Sequence, residues 1–277
     1  MTLHRISLIR PLPITLIAVA AALLAACASP GLGDTQAPIA RRVAAQPPTD
    51  ALLLGEQHDA AEHQVIERET VVALAQGGRL AAVALEMAEE GNGTAHLPAD
   101  ATEAQVQTAL GWNDKGWPWA AYGPVVMAAV RAGVPVVGAN LQRAHMKDAM
   151  ADVSLDAQLP EAARADQQQA VRSGHCNLLP ESQIVPMTRI QIARDRAMAQ
   201  AVVKARVPGK TVLLVSGAGH GNKQLGVPQH LPTDVSVKAV RLRTGPPDES
   251  DRAFDAVWPT PALPEQDYCA GLRRPAG

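Results

Sequence analysis

Two distant segments of the chain end an apolar run on a glycine and place a histidine three residues later. Residues 53–59 read Leu-Leu-Gly-Glu-Gln-His-Asp, and the apolar residues 212–215 lead into Gly217, Ala218, Gly219 and His220. Open parallel sheets bind ligands outside the carboxyl ends of their strands, which is where such breaks would lie. The two Gly-x-x-His motifs therefore favour a parallel sheet in which both histidines contribute to one site.

Apolar runs also predict the strands of this sheet. Buried strands are expected at residues 51–54, 81–85, 134–137 and 211–215. A fifth run, 235–242, alternates in polarity and suits an edge strand. Helical spacing of apolar residues over 58–76 and 125–132 separates some of these strands, and strand–helix–strand is the unit of a parallel sheet. The expected fold class is α/β, with a largely parallel central sheet flanked by helices.

The rest of the helical sequence is interpreted as an insertion in this domain. Residues 98–110 and 143–206 have helical periodicity and no strand candidates, and the longest helix is expected at 187–207. We therefore expect an α/β domain at 51–277 with a helical cap inserted at about 95–206.

The N-terminal residues have the layout of an export signal. Arg5 and Arg10 precede an apolar run that is short for a membrane span, so residues 1–26 are interpreted as a signal peptide. Small residues lead into Cys27, as in the bacterial lipobox, and this resemblance implies a lipidated Cys27 and an outer-membrane lipoprotein that faces the periplasm. Residues 27–50 are rich in Pro and Gly without an apolar period, so they are interpreted as a tether. The alternative is a plain signal peptide cut near Ala26.

Charge excludes one class of partner. Removal of residues 1–26 takes away two of the 25 basic residues and no acid, which leaves 23 Lys+Arg against 27 Asp+Glu, a net charge of −4. A protein with this balance lacks the basic footprint of a nucleic-acid-binding protein.

The remaining cysteines are expected to pair. If Cys27 carries lipid, Cys176 and Cys269 are left in an oxidising compartment, where a disulfide between them is expected. The alternative is a metal or thiolate role for Cys176, which lies beside His175, although this dipeptide lacks the second ligand pair of a zinc site.

Polar side chains follow the strand candidates one after another. Glu56 and His58 follow the first strand, Glu86 the second, Asn140 the third and His220 the fourth. Because the carboxyl ends of parallel strands share one edge, these side chains are expected to converge. His58, Glu86 and His220 are candidate metal ligands, and Glu56 or Glu86 is a candidate general base. Taken singly, each residue also suits a helix cap or a loop hydrogen bond.

Several segments, taken in order, are similar to one known family. They are Gly-Glu-Gln-His-Asp at 55–59, Ala-Leu-Glu-Met at 84–87, residues 119–124 leading through Arg131 to Asn140, His175-Cys176, residues 191–199 with Arg194-Asp195, and residues 217–228 ending in Gly-Val-Pro. Together with the lipobox they resemble the ChaN-like lipoproteins, which are haem-binding uptake proteins in a superfamily with Tiki, TraB and erythromycin-esterase-like proteins. The resemblance extends over about residues 50–270.

The resemblance implies two kinds of function. Enzymatic branches of the superfamily are associated with two Gly-x-x-His motifs, a glutamate and an arginine around a metal or an activated water. The corresponding residues here are His58, His220 and Glu86, with Glu56 adjacent and Arg194 as the candidate arginine. The ChaN-like branch is associated instead with haem held by dimers and with iron acquisition. The resemblance thus implies haem binding by a lipid-anchored homodimer, with an outer-membrane haem receptor as a candidate partner.

Haem needs an iron ligand and apolar or aromatic surfaces. Tyr122 is the first candidate for a phenolate ligand, because it lies in an aromatic-rich stretch with Trp112, Trp117 and Trp119. The alternative for this stretch is aromatic packing between cap and sheet. The residues expected to contact haem are His58, Tyr122, Asn140, Arg194 and His220.

Two further functions stay open at this stage. One is a metal-dependent hydrolase acting on a peptide, ester or amide, with a divalent metal at His58, Glu86 and His220 and with Glu56 in the catalytic set. The other is an inactive descendant that serves as an interaction module. No Gly-x-Ser-x-Gly, Walker or Cys-x-x-Cys motif points to another chemistry. The expectation is therefore a binding protein, with the hydrolase as the alternative.

Overall fold

The computed structural model describes residues 37–271, together with Met1 and Arg273. Apart from Met1, the predicted signal peptide lies outside the described residues, as do Cys27 and the first part of the predicted tether. Residues 37–271 all belong to one compact unit, Leu32–Gly277.

A six-stranded sheet forms the centre of this unit. Its strands are β1 (Ala51–Glu56), β2 (Leu80–Glu89), β3 (Val136–Asn140), β4 (Thr211–Gly217), β5 (Val237–Thr244) and β6 (Ala256–Thr260). They lie in the order β3-β2-β4-β1-β5-β6, and each neighbouring pair is parallel. The predicted α/β class with a largely parallel sheet is confirmed.

Helices connect and cover the strands. They are α1 (Ile39–Ala45), α2 (Ala61–Gln76), α3 (Glu103–Leu110), α4 (Trp119–Arg131), α5 (Met146–Ala151), α6 (Glu161–Gly174), α7 (Glu181–Lys204) and the short α8 (Ala218–Gly221). Four 3₁₀ turns lie at Arg143–His145, Val153–Ala157, Val227–His230 and Glu249–Ala253.

Alternate residues of the central strands belong to two separate hydrophobic cores. Leu54 of β1 packs in one core with Val71 of α2 and Val126 of α4. Leu53, its neighbour, packs in the other core with Met198 of α7. Both leucines are completely buried, which stabilises the fold by about 1.5–3 kcal/mol for each side chain. One face of the sheet is therefore covered by α2 and α4, and the opposite face by α7.

The predicted edge strand is not at an edge. β5 lies between β1 and β6, and β6 forms the edge of the sheet. The sequence prediction missed β6 because this strand has five residues and contains Pro259. Proline cannot donate a hydrogen bond to a neighbouring strand, so it is tolerated at the edge and weakens the sequence signal.

The helices α5, α6 and α7 are inserted between β3 and β4. α7 packs directly on β2, β3 and β4, and α5 and α6 pack on α7. The long helix expected at 187–207 is Glu181–Lys204, and buried residues on its inner face bind it to the sheet. Within the expected insertion, α7 thus packs on the sheet, a contact that the sequence did not predict because an apolar stripe along a helix does not specify whether its partner is a sheet or another helix.

The folded part also begins earlier than predicted. α1 lies within the segment interpreted as a tether, and its Ile39 and Val43 are buried against the core. These residues are four positions apart, so both face the same side of the helix. A helix of seven residues carries too short a periodic pattern to be recognised among the flanking prolines.

The expected disulfide is present. Cys176, in the turn after α6, is bonded to Cys269 in the C-terminal segment. Over the described residues, no helix combines the length and the apolar character that crossing a membrane requires.

Candidate functional site

The predicted polar residues converge at the carboxyl edge of the sheet. Glu86 is at the centre: its Oε1 lies 3.4 Å from His220 Nε2, and its Oε2 lies 3.9 Å from His58 Nε2. Asn140 reaches the same strand, because its Nδ2 donates a 2.9 Å hydrogen bond to the Glu86 carbonyl. Four strand ends thus deliver their side chains to one place, as the parallel topology requires.

The glycine of each Gly-x-x-His motif makes room for the other motif. A Cβ on Gly55 would lie 2.8 Å from the Cα of Ala218, which belongs to the second motif. A Cβ on Gly217 would lie 2.9 Å from Nε2 of His58, which belongs to the first. Both distances are closer than real Cβ contacts allow, so the two chain segments can approach each other because both glycines lack a side chain.

Glu56 holds His58 in one orientation. The Glu56 side chain is buried and accepts hydrogen bonds at Oε1 from His58 Nδ1 (2.8 Å) and from the Tyr122 hydroxyl (2.7 Å). Gln64 Nε2 of α2 donates to Oε2 at 2.6 Å. Because a carboxylate accepts the Nδ1 proton, the other ring nitrogen of His58, Nε2, is the one available to a ligand.

His58 stands at an open position. Its side chain is 40% exposed, and its ring meets Trp117 edge-on with the ring centres 4.8 Å apart. Burial lowers the pKa of His58, but the hydrogen bond that His58 donates to Glu56 and the charge of Glu86 outweigh it, and the net shift is upward. A cavity of about 460 Å³ opens beside it, and Arg241 and Arg243 contribute to its lining.

His220 is held differently, because both of its ring nitrogens face carboxylates. Nδ1 lies 2.6 Å from Asp195 Oδ1 on α7, and Nε2 faces Glu86. Burial opposes its protonation, but Glu86 and Asp195 raise the pKa of His220 to about 10. Burial likewise opposes ionisation of Glu86, but His220 lowers the pKa of that carboxyl to about 2. His220 is therefore a buried imidazolium with no nitrogen left for a ligand.

The predicted divalent metal site is not supported. Each ring nitrogen of His220 faces a carboxylate oxygen, at 2.6 Å for Asp195 and at 3.4 Å for Glu86. Within residues 37–271, no group of three or more His, Cys, Asp and Glu side chains has an arrangement that could hold a metal ion. The three residues expected to ligate it instead form a chain of ion pairs.

Tyr122 is not placed as an iron ligand. Its side chain is almost completely buried, and its hydroxyl donates to Glu56. Burial and the charge of Glu56 raise the pKa of Tyr122 far above the usual value for a phenol. Tyr122 therefore stays protonated and supports Glu56, and its position in the α4 core fits the alternative of aromatic packing.

Asn140 and Arg194 do not belong to the lining of this cavity. Asn140 uses its amide group on the Glu86 backbone, and its Oδ1 is buried without a partner among the described residues. Arg194 lies on α7 next to Asp195, with a buried Nε that also lacks a partner there. The arginines that line the cavity are Arg241 and Arg243 of β5 instead.

Two acidic residues of the site were not predicted as such. Asp195 and Glu67 each interrupt a buried stripe of their helix, α7 and α2 respectively. Asp and Glu are almost never fully buried unless paired. An acid within an apolar helix stripe therefore indicates a buried charged or hydrogen-bonded partner, and this pattern could have identified both residues. Arg241 and Arg243 had a weaker signal, since alternating charges in a strand usually indicate a solvent-facing side.

Comparison with known proteins defines the family. Residues 43–231, about two thirds of the chain, match the family described as "Haem-binding uptake, Tiki superfamily, ChaN". The chain belongs to this family. No curated protein matches it.

One of two similar solved structures supports the fold. The structure titled "Cofacial heme binding to ChaN of Campylobacter jejuni" matches with a TM-score of 0.65 at 23% identity, over 79% of this chain and 89% of that chain. The type III effector HopBA1 gives a TM-score of 0.43 at 14% identity, over 82% of this chain and 95% of that chain. The first match agrees with the parallel α/β architecture.

Proposed function

We propose that this protein binds haem at the carboxyl edge of its sheet, with Nε2 of His58 as the iron ligand. The observation that carries this proposal is the Glu56–His58 pair. Metal-ligating histidines almost always donate their second ring nitrogen to a carboxylate, a carbonyl or water, which fixes the ring and strengthens the ligand. Among the predicted ligands, His58 is the one that combines this support with a partly exposed side chain. The family assignment supplies the class of cofactor.

The surroundings of His58 suit a porphyrin. Trp117 provides an aromatic surface beside the ring. Arg241 and Arg243 line the cavity and offer positive charge for propionate groups. Arg241 is paired with Asp248 and Asp251, and Arg243 with Asp251, but each guanidinium has five N–H donors, so donors remain for a further anion.

A haemin titration of the mature protein tests this proposal. Wild type should show a saturable Soret shift, and His58→Ala should weaken binding by at least about tenfold, the lower end of the loss seen when metal-site support is removed. His145→Ala, which changes an exposed histidine in the 3₁₀ turn at Arg143–His145, is the matched control and should bind as wild type does. Equal affinity of wild type and His58→Ala would place the iron ligand elsewhere.

We propose further that the protein acts as a homodimer when it holds haem. One side of His58 is open, so a porphyrin bound there would leave a face exposed, and a second copy can cover it. Sedimentation with and without haemin tests this point. A mass that stays that of a monomer at saturating haemin would exclude the dimer.

The proposed setting is haem uptake at the outer membrane, in concert with an outer-membrane haem receptor. Support comes from the residues that precede the folded domain: two arginines, a short apolar run and the lipobox ending in Cys27. More than one lipid chain is needed for stable anchoring, which lipoprotein modification provides. Cys27→Ser should move the protein from the membrane fraction to the soluble periplasm. If that variant stays with the membranes, the anchor is not Cys27.

A further inference from the structure

Another cavity lies at the opposite end of the strands from His58. It has a volume of about 340 Å³ and is formed by α1 and by residues at the beginning of β5 and β6. Because the strands are parallel, their first residues share the amino edge of the sheet, whereas His58 follows the carboxyl end of β1. The six residues of β1 separate the two edges by roughly 20 Å, at about 3.3 Å for each residue. The cavity is therefore distinct from the candidate haem site.

The lining of this cavity is rich in positive charge. Arg41, Arg42 and Lys238 contribute three basic side chains, and Asp255 contributes one acidic side chain. Asp255 accepts hydrogen bonds from Lys223 Nζ at 2.6 Å and from a backbone N–H of β5 at 2.9 Å. Lys223 does not belong to the lining, so the charge of Asp255 is balanced from outside the cavity. The lining thus has an excess of positive charge.

Arg42 and Trp258 form a fixed wall of the cavity. The Arg42 guanidinium lies 5.6 Å from the centre of the Trp258 ring, and its Nε donates a 2.8 Å hydrogen bond to the Ala37 carbonyl. A cation at this distance is attracted to the face of the ring. Trp258 itself is buried in the core that α1 shares with α2 and α4. Arg41 is exposed and Lys238 is partly exposed, so both can reach a ligand from solvent.

The residue types of the cavity suit a phosphate group. Arginine matches phosphate oxygens with its fork of N–H donors, and lysine adds a mobile point charge. The place of the cavity in the chain indicates where the phosphate comes from. Ala37 lies ten residues after Cys27, and ten residues span at most about 33–36 Å. A lipidated Cys27 would keep the cavity within this distance of a surface that is covered with phosphate groups.

We propose that this cavity binds the phosphate of an anionic phospholipid in the membrane that holds Cys27. The choice of ligand rests on the proposed anchoring through Cys27. The protein has more acidic than basic residues, so an anionic surface repels it as a whole, and attraction has to come from a local group of basic side chains. The bound headgroup directs the amino edge of the sheet towards the membrane. The edge that carries His58 then faces away from it.

Sedimentation with lipid vesicles tests the proposal. The protein is the mature chain, residues 27–277, with Cys27→Ser, so that it carries no lipid. It should bind vesicles of phosphatidylcholine with phosphatidylglycerol, and not vesicles of phosphatidylcholine alone. Arg41→Gln combined with Lys238→Gln should weaken this binding by about 25-fold, since each basic residue near an anionic surface contributes about fivefold. Arg42 is left unchanged because it packs on Trp258.

Lys115→Gln combined with Lys147→Gln is the matched control. It removes the same charge from exposed positions outside the cavity and should leave vesicle binding unchanged. Equal losses in the two double variants, or no binding before they are introduced, would overturn the proposal. Binding of inorganic phosphate without binding of vesicles would assign the cavity to a free anion and overturn it as well. The experiment uses neither lipidated Cys27 nor haemin, so its result is independent of the tests of the anchor and of haem binding.

Discussion

The two Gly-x-x-His motifs share a sequence pattern and end in opposite electrostatic settings. His58 accepts support from one carboxylate on Nδ1, and its side chain is 40% exposed. His220 is clamped between Asp195 and Glu86, with a side chain that is 12% exposed. One carboxylate makes a histidine a better ligand, and two make it part of a buried ion cluster.

The difference arises from the two faces of the sheet. Glu56 follows Leu52 and Leu54 at alternate positions of β1, so it points towards the face covered by α2 and α4 and meets Tyr122. Glu86 belongs with Ala84 on the other face, where α7 supplies Asp195. The Glu56–His58 pair and the Glu86–His220–Asp195 group approach each other at the edge of the sheet, where His58 faces Glu86. We infer that the α2/α4 side presents the ligand and that the α7 side stabilises the edge.

Stability separates the two histidines most strongly. His220→Ala leaves two buried carboxylates without their counter-charge and should reduce the free energy of unfolding by about 3–5 kcal/mol. His58→Ala removes a half-exposed group and should reduce it by less than about 1 kcal/mol. Urea unfolding of both variants beside wild type measures the two values. Equal losses would mean that the two motifs have the same role.

The pH dependence of stability should show the same asymmetry. The pKa of His220 is raised to about 10, so its stabilising contribution is complete below its unfolded value of 6.5 and is lost as the pH rises towards 10. The pKa of Glu86 is lowered to about 2, so its contribution is complete above 4.5 and is lost as the pH falls towards 2. The difference in stability between wild type and His220→Ala should therefore be largest between pH 4.5 and 6.5.

A different profile would contradict this assignment. If the difference between wild type and His220→Ala stayed constant from pH 6.5 to 10, His220 would not be charged in the folded state. His58→Ala serves as the control, because its half-exposed histidine should contribute little to the profile.

Tyr122 also distinguishes the two histidines, because its hydroxyl donates to Glu56, the carboxylate that orients His58. Tyr122→Phe removes the hydroxyl donor to Glu56 and should destabilise the fold by about 1.5–3 kcal/mol, the range for a hydrogen bond to a charged group. The haemin-induced Soret shift should remain, since the phenol does not face the cavity. Loss of the Soret shift without loss of stability would restore Tyr122 as the ligand.

The smallest predicted effect is the pH dependence of haem binding. A histidine ligand must be deprotonated, and the pKa of His58 is raised, so haem affinity should rise by about tenfold per pH unit up to that pKa and then level off. Glu56→Gln removes the hydrogen bond that raises this pKa and should move the break to lower pH. Haemin titrations across pH check both points. A pH-independent affinity would exclude His58 as the ligand.

Parts of this molecule were predictable because local signals agree with the fold. Four apolar runs became β1 to β4, and their polar ends met at one edge as parallel pairing requires. β6 and α1 escaped prediction, since five and seven residues carry little periodicity and prolines interrupt both regions. The packing of α7 on the sheet was not predicted either, because the apolar stripe of a helix does not specify which element packs against it.

Tyr122 shows where residue type misleads. An aromatic-rich stretch suggested a haem ligand, and the fold turns that side chain into the core, where its hydroxyl finds Glu56. Residue type describes what a side chain is able to do. The direction in which it points depends on the helix face, which α4 sets by packing on α2 and the sheet.

The sequence by itself determined the parallel α/β fold, the edge at which the site forms, and the pairing of Cys176 with Cys269, because these depend on hydrophobic periodicity, strand order and the number of cysteines. Tertiary structure alone decided which histidine is partly exposed and which is buried between two carboxylates. That choice depends on Asp195, an acid that lies 25 residues before His220 in the chain. Packing of α7 on the sheet brings Asp195 to His220, and no local sequence pattern encodes this contact.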